Sequence, residues 1–244
     1  MTQPLPIDAG HKVFVLTGAG VSAESGLRTF RDSNGLWEQH RVEDVASPEG
    51  FARDPALVWR FYAERRRQAA ACAPNRAHLA LAQLEARLQD RLLVCTQNVD
   101  DLHERAGSTR VVHMHGELRR SRFDAPGSAP FTDDALYFSL DDVPRDAQGR
   151  LLRPHICWFG EVPFEMDRIL AALGACSWFL TVGTSGSVYP AAGFVEVIRQ
   201  RQAAGQAVRS VYVGLEVPDN ASAFAEVHLG PAGTLLPQLL SLPT

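Results

Sequence analysis

Lys12-Val13-Phe14-Val15-Leu16-Thr17-Gly18-Ala19-Gly20-Val21-Ser22-Ala23 is the stretch on which the reading of the fold turns. Residues 13–16 are apolar and rich in β-branched and aromatic types, which suits a strand covered on both faces. Gly18-Ala19-Gly20 then turns the chain, and the residues that follow can open a helix. The pattern is G-x-G-x-x-A in the strand–turn–helix setting of a dinucleotide site, where glycines let backbone N–H groups approach a pyrophosphate. Glycines at a strand end suit a plain tight turn equally well, so the motif alone decides nothing. A dehydrogenase-type site also needs an acid at the end of the next strand, about twenty residues on. Here that region reads Arg28-Thr29-Phe30-Arg31-Asp32 with no strand before it. A standard dehydrogenase site is not expected.

Outward from this stretch, strand-like apolar runs recur at 91–96, 110–115, 178–183 and 208–213. Helical patterns fall between them. Asp54-Pro55 is a good helix start, and 57, 58, 61 and 62 follow at helical spacing. Asn75 caps a helix carrying Leu79, Leu81, Leu84 and Leu88. Shorter helices are expected at 100–106, ended by Gly107, and at 190–204, ended by Gly205. This alternation predicts an α/β fold, a doubly wound parallel sheet of Rossmann type whose ligands sit at the carboxyl ends of the strands. Two stretches break the rhythm: 29–53 is polar and turn-rich, and 117–153 has mixed charges with weak strand patches near Phe123 and Tyr137. Together they are expected to form a second, smaller lobe. The division is one catalytic domain over 1–244, with the large lobe at about 8–30, 75–116 and 153–244 and the small lobe at about 31–74 and 117–152.

The chain has 244 residues, 45% hydrophobic and 21% charged, with a formal net charge of −4. That composition fits a globular enzyme and offers no basic field to nucleic acid or anionic lipid. No signal peptide or membrane-spanning run is read, so a cytoplasmic monomer is expected. The cysteines at 72, 95, 157 and 176 include no CxxC pair. They read as free thiols in a reducing compartment, and no metal site follows from them.

Chemistry-bearing residues gather at four strand ends. Besides the glycine turn there are Thr96-Gln97-Asn98-Val99-Asp100, His113-Met114-His115-Gly116 and Thr181-Val182-Gly183-Thr184-Ser185-Gly186-Ser187. Asn98 and Asp100 can also be helix caps, and a histidine at a strand end is often structural. On an extended strand His113 and His115 share a face, but no third ligand is positioned to complete a metal site. A neutral histidine is the natural general base near pH 7. Four such clusters on one sheet edge are hard to explain as packing.

Residues 18–31 followed by Gly35-Leu36-Trp37 resemble the NAD-binding segment of sirtuins. Gln97-Asn98-Val99-Asp100, His113-Met114-His115-Gly116-Glu117-Leu118, Trp158-Phe159-Gly160-Glu161 and Gly183-Thr184-Ser185 complete the resemblance in order, over nearly the whole chain. It is nearest to the bacterial class III members. The resemblance implies an NAD-dependent protein-lysine deacylase in which NAD is a co-substrate. Gly18, Ala19, Gly20, Ser22, Ala23, Phe30, Arg31 and Trp37 would wrap NAD. Gln97, Asn98, Val99 and Asp100 would line the nicotinamide pocket, with Asn98 taking part in catalysis. Gly183, Thr184, Ser185, Gly214, Leu215, Glu216 and Ala232 would complete the NAD site. The acyl-lysine carbonyl oxygen attacks the nicotinamide ribose and nicotinamide leaves. His115 then takes a proton from a ribose hydroxyl, and the acyl group ends on ADP-ribose. Trp158, Phe159, Gly160, Glu161 and Val188 would hold an acylated protein or peptide, the first four by adding it as a β-strand.

Tyr62 and Arg65 stand at i, i+3 on one helix face. By spacing alone Arg65-Arg66-Arg67 reads as a solvated basic face and Tyr62 as core. Tyr-x-x-Arg also resembles the motif by which class III sirtuins recognise succinyl, malonyl or glutaryl lysine, which implies desuccinylase and demalonylase activity with deacetylation beside it. Two departures from the family stand out. Gly116–Ile156 holds none of the four cysteines that bind a structural zinc in most relatives, so no zinc is expected. The small lobe would then rest on its own apolar residues, among them Phe123, Phe131, Leu136, Tyr137 and Phe138. Gly214-Leu215-Glu216 stands where relatives commonly show Asn-Leu-Glu, which puts one adenosine-ribose hydrogen bond in doubt. An inactive NAD or ADP-ribose sensor and a mono-ADP-ribosyltransferase remain the alternatives.

Overall fold

The computed structural model describes residues 3–27, the backbone of 36–37, and residues 40–242. The opening run forms β1 (Val13–Thr17), and the chain turns through Gly18 into α1 (Ala19–Ala23). Two-residue strands β2 (Leu36–Trp37) and β3 (His40–Arg41) pair antiparallel. Three helices follow: α2 (Val42–Val45), α3 (Pro48–Arg53) and α4 (Pro55–Ala71). Asp54 caps α4 by accepting from the Leu57 N–H, and Asn75 caps α5 (Arg76–Leu88) in a capping box with His78. β4 (Leu92–Thr96), α6 (Leu102–Arg105) and β5 (Val111–His113) come next. Then come β6 (Gly116–Phe123), β7 (Phe131–Thr132) and β8 (Leu152–Ile156). The chain ends with α7 (Met166–Ala175), β9 (Trp178–Val182), α8 (Phe194–Ala203), β10 (Arg209–Gly214), β11 (Glu226–Leu229) and α9 (Ala232–Leu239).

The main sheet has six strands in the order β11-β10-β9-β1-β4-β5, and every pairing in it is parallel. Alternation along the strands splits the core between its faces. Val13, Val15, Leu92 and Val94 pack with Leu81 and Leu84 of α5 and Leu236 of α9. Phe14, Leu16, Leu93 and Cys95 pack on the other side with Ile169 of α7 and Ile198 of α8. Helices on both faces make this the doubly wound fold that the apolar strands predict. The four clustered strand ends belong to β9, β1, β4 and β5, which are contiguous in the sheet.

The smaller sheet, β7-β6-β8, is antiparallel and packs against α2–α4. Three expectations change here. Residues 153–156, expected with the large lobe, pair with β6 as part of β8. The strand expected at 110–115 stops at His113, because the chain turns at Met114 and His115 and reverses into β6. The turn-rich 29–53 segment holds α2 and α3 among its described residues. Of the apolar residues expected to carry the small lobe, Tyr137 is buried and Phe123 partly so, whereas Phe131, Leu136 and Phe138 are exposed. Much of the apolar interior comes from α4, whose Trp59 lies edge-on to Tyr137 at 4.8 Å and donates to the Leu152 carbonyl.

A polar knot fills the rest of that lobe. Arg66 donates to the carbonyls of Leu118 and Ala135, to the Ser121 hydroxyl and to Asp133. Asp133 also accepts from Ser121, Tyr137 and the Ala135 N–H. Among the described residues no group of three or more His, Cys, Asp or Glu side chains could hold a metal ion, and no helix is long and apolar enough to cross a membrane.

Candidate active site

The ends of β1, β4, β9 and β10 open onto one cavity of about 560 Å³, within the range of ligand pockets. Gly18, Ala19, Gly20, Ser22 and Ala23 form one wall, and Gly183, Thr184, Ser185, Gly214, Leu215, Glu216 and Ala232 form another. Gln97, Asn98, Val99, Asp100 and His115 lie at its floor. Tyr62, Arg65, Trp158, Phe159, Gly160, Glu161 and Val188 complete the lining. Phe30 and Arg31 lie outside the described residues. Trp37 is described by its backbone alone, paired with His40.

The glycine turn is crowded from within. Gly20 N–H donates to the Gly183 carbonyl at 2.9 Å, and a Cβ on Gly18 would stand 2.8 Å from that same oxygen. The glycines therefore serve the close approach of the β1 and β9 loops as well as any phosphate.

Behind this wall runs a buried polar chain. The Asn98 side-chain amide donates to Ser22 Oγ at 3.0 Å, and Ser22 donates to the Asp100 carboxylate at 3.2 Å. Asp100 also accepts from the Leu102 N–H. Burial raises the Asp100 carboxyl above the ordinary aspartate range, opposed by its bonds to Leu102 and Ser22. His78, fully buried on α5, comes within 3.5 Å of Ser22. Nothing in the local sequence singles out His78, because only the packing of α5 behind Ser22 brings it to the site.

The two histidines of the His-x-His motif part company. His113 Nδ1 meets the Asn98 carbonyl at 3.1 Å and its Nε2 meets Glu104 at 2.8 Å. A carbonyl and a carboxylate both want N–H donors, so the ring suits the charged form. Burial works against that charge, but the Glu104 bond and charge outweigh it and raise the His113 pKa. His115 Nδ1 meets the Gln97 carbonyl at 3.1 Å. That bond places the proton on Nδ1 of the neutral ring and leaves the lone pair on Nε2. Burial lowers the His115 pKa below the ordinary histidine value, with the Gln97 bond opposing. His113 is held at both ring nitrogens and His115 at one.

The Trp158–Glu161 loop is fixed from the small lobe. Arg153 donates two bonds to the Glu161 carboxylate and lies 3.6 Å over the Trp158 ring. Glu161 in turn accepts from the Trp158 N–H at 2.9 Å, and the Trp158 indole N–H donates to the Tyr62 hydroxyl at 3.0 Å. Glu161 thus holds the loop's shape with its carboxylate, while Phe159 stays exposed. Tyr62 is fully buried, as the core reading of its sequence position expects, and it borders the cavity.

The cavity lies where the carboxyl ends of a parallel sheet meet the small lobe, the place at which open α/β folds bind their ligands. Comparison narrows the class: residues 18–190 match the Sir2 family model. The chain belongs to the Sir2 family. It is 50% identical over 239 residues to an NAD-dependent protein deacylase of Pasteurella multocida, covering 94% of this chain and 97% of that protein. A Shewanella oneidensis NAD-dependent protein deacylase is 51% identical, covering 93% and 92%. Among solved structures, a Sir2 homologue–NAD complex superposes with TM-score 0.83 at 35% identity, covering 99% of this chain and 95% of that one. A point mutant of a Sir2 homologue in complex with ADP-ribose gives TM-score 0.84 at 36% identity, covering 96% and 92%.

Proposed function

We propose that this chain, an NAD-dependent protein deacylase of the Sir2 family, removes acidic acyl groups such as succinyl and malonyl from lysine, with acetyl as a second substrate. The observation that carries the reading is a shared cavity: Arg65 and His115 line the same space as the strand-end loops of the nucleotide wall. That space fits a dinucleotide, and the glycine approach and the buried Asn98–Ser22–Asp100 chain supply a shaped, preformed seat.

When bound, NAD supplies an electrophilic anomeric carbon whose leaving group is nicotinamide. Asn98, Ser22 and Asp100 orient the nicotinamide end. His115 Nε2 accepts a proton from a ribose hydroxyl, while the Gln97 carbonyl keeps its other nitrogen protonated. Arg65 and Tyr62 meet the acyl carboxylate at the cavity's inner end, where an arginine can grip both oxygens. Backbone groups of Trp158–Glu161, held in shape by Arg153, take the peptide as an added strand, and Val188 flanks it. Holding amide oxygen and anomeric carbon together in one cavity would remove much of the entropic cost of bringing them into contact.

The test is mass spectrometry of paired acetyl and succinyl peptides with NAD. Arg65→Met is expected to cut succinyl-lysine turnover by about 1.5–3 kcal/mol, or tenfold to a hundredfold, as for loss of a charged hydrogen bond. Acetyl-lysine turnover is expected to change by less than about threefold, because that acyl group has no charge for Arg65 to pair. Equal losses on the two peptides would remove Arg65 from the acyl pocket. Nicotinamide release without loss of the acyl group would point instead to ADP-ribosyl transfer.

A further inference from the structure

Tyr212 and Gly214 lie two residues apart on β10, so their side-chain positions share a face of the strand. A Cβ built on Gly214 would stand 2.8 Å from Tyr212 Cζ and closer still to the tyrosine hydroxyl. While Tyr212 keeps its place, position 214 cannot carry any side chain. The hydroxyl fills the space that an asparagine at 214 would use.

That hydroxyl is not merely a filler. It lies 3.0 Å from the Thr184 carbonyl and 3.0 Å from the Glu216 carbonyl, its one proton shared between the two acceptors. Thr184 belongs to the loop after β9, and Glu216 to the loop after β10. Both loops line the cavity, and Tyr212 itself lines it. The phenol ring is buried and braced by Phe224, whose centroid lies 5.7 Å away. A rigid aromatic strut thus ties together two backbone segments whose groups must face a ribose.

We propose that Tyr212 is the positioning residue for the adenosine half of NAD, replacing the side chain absent at 214. The inference rests on the reading that the β9 and β10 loops seat that half. It locates the compensation for Gly214 in a residue two positions earlier on the same strand. It further requires that positions 212 and 214 be coupled: a side chain at 214 is tolerated only when the phenol is gone.

The experiment compares the wild type with Tyr212→Phe, which keeps the ring and removes the hydroxyl. Losing one such bond is expected to raise KM for NAD by about five- to tenfold. The inhibition constant of AMP, a probe of the adenosine half alone, is expected to rise by the same factor. The turnover at saturating NAD, KM for the acyl peptide and the inhibition constant of nicotinamide are each expected to stay within about twofold. A second pair tests the coupling. Gly214→Asn alone is expected to bind AMP worse than Tyr212→Val alone, and Tyr212→Val combined with Gly214→Asn is expected to bind it better than either. An unchanged AMP constant in Tyr212→Phe overturns the proposal. So does a fall in turnover and peptide affinity as large as the fall in AMP affinity, which would mark a purely structural tyrosine. Additive losses in the double variant overturn the coupling. A wild type that turns over NAD but is not inhibited by AMP would instead place the adenosine half elsewhere, and the underlying site reading would fail with it.

Discussion

Arg66 is where the small lobe's stability can be tested most sharply. Its side chain is 5% exposed, and it donates to Asp133, Ser121 and two carbonyls while lying 5.4 Å over the Trp59 ring. Arg66→Met keeps much of the aliphatic volume but leaves the Asp133 carboxylate buried without its cation and strands the Leu118 and Ala135 carbonyls. Removing one partner of a buried pair costs about 3–5 kcal/mol. For a chain of this size each kcal/mol shifts the midpoint by roughly 2–4 °C, so a fall of about 6–20 °C is expected. Arg67→Met is the control, since Arg67 is 66% exposed and pairs with Glu64 at the surface. It should cost no more than about 1 kcal/mol. Calorimetry gives the midpoints, and limited proteolysis reports whether cleavage starts in residues 117–152, as local opening of this lobe would require. Replacing both members, Arg66→Met with Asp133→Leu, should recover part of the loss because no unpaired charge then remains buried. Equal midpoints for Arg66→Met and Arg67→Met would refute the idea that this knot holds the lobe together.

Other consequences are open to simpler measurements. His115→Ala should lower turnover by about 10²–10⁴ with NAD binding retained, and the wild-type kcat/KM should fall on the acid side below the ordinary histidine pKa; turnover that survives the substitution would dismiss His115 as the base. Burial drives the His78 pKa down to about 4, and burial with nearby Arg122 and Arg120 does the same for His155. Both folded values lie below the unfolded value of 6.5, so the unfolded chain binds more protons between pH 6.5 and 4. Stability is then complete above 6.5 and lost on acidification, by up to about 3 kcal/mol for His78. A denaturation midpoint that is flat from pH 7.5 to 5 would contradict this. Incubation with a zinc chelator should leave melting temperature and turnover unchanged, and a drop in either would expose a structural metal.

The strands of the main sheet were legible because they are apolar on both faces, and a run such as Leu92–Thr96 has no other reading. β11 was not, because Glu-Val-His-Leu at a sheet edge alternates half-buried with exposed residues and leaves Val227 and Leu229 outside. β6 was hidden by its charges: Gly-Glu-Leu-Arg-Arg-Ser-Arg-Phe is a strand in which Arg119 pairs with Asp134, Arg122 with Glu161, and Arg120 with Glu117 of the same strand. The triple arginine of α4 shows the limit most clearly. Successive helical residues point about 100° apart, so Arg65 faces the cavity, Arg66 enters the lobe's interior and Arg67 stays in water. Composition reads three alike residues, and only the packing partners on each side make them different. Tyr212 was missed for a similar reason, since its value lies in a gap at Gly214 that the sequence shows as a loss.

The same logic separates His115, the base in our proposal, from His113. β5 ends at His113 inside the large sheet, where the Asn98 carbonyl and Glu104 occupy both ring nitrogens. Two residues later the chain has turned toward β6, and His115 sits at the junction of the two lobes. Its carbonyl accepts from the Cys157 N–H, one residue before the Trp158 loop, while its ring is aimed by Gln97 at the end of β4. One residue is thus tied by its backbone to the segment before the Trp158 loop and by its side chain to the end of β4, which on our proposal are the peptide and nucleotide sides of the site. A histidine within a regular strand would have belonged to only one of them. On the proposed reaction, the turn that cuts β5 short is what lets a single imidazole serve two substrates, and burial, opposed by the Gln97 bond, lowers its pKa.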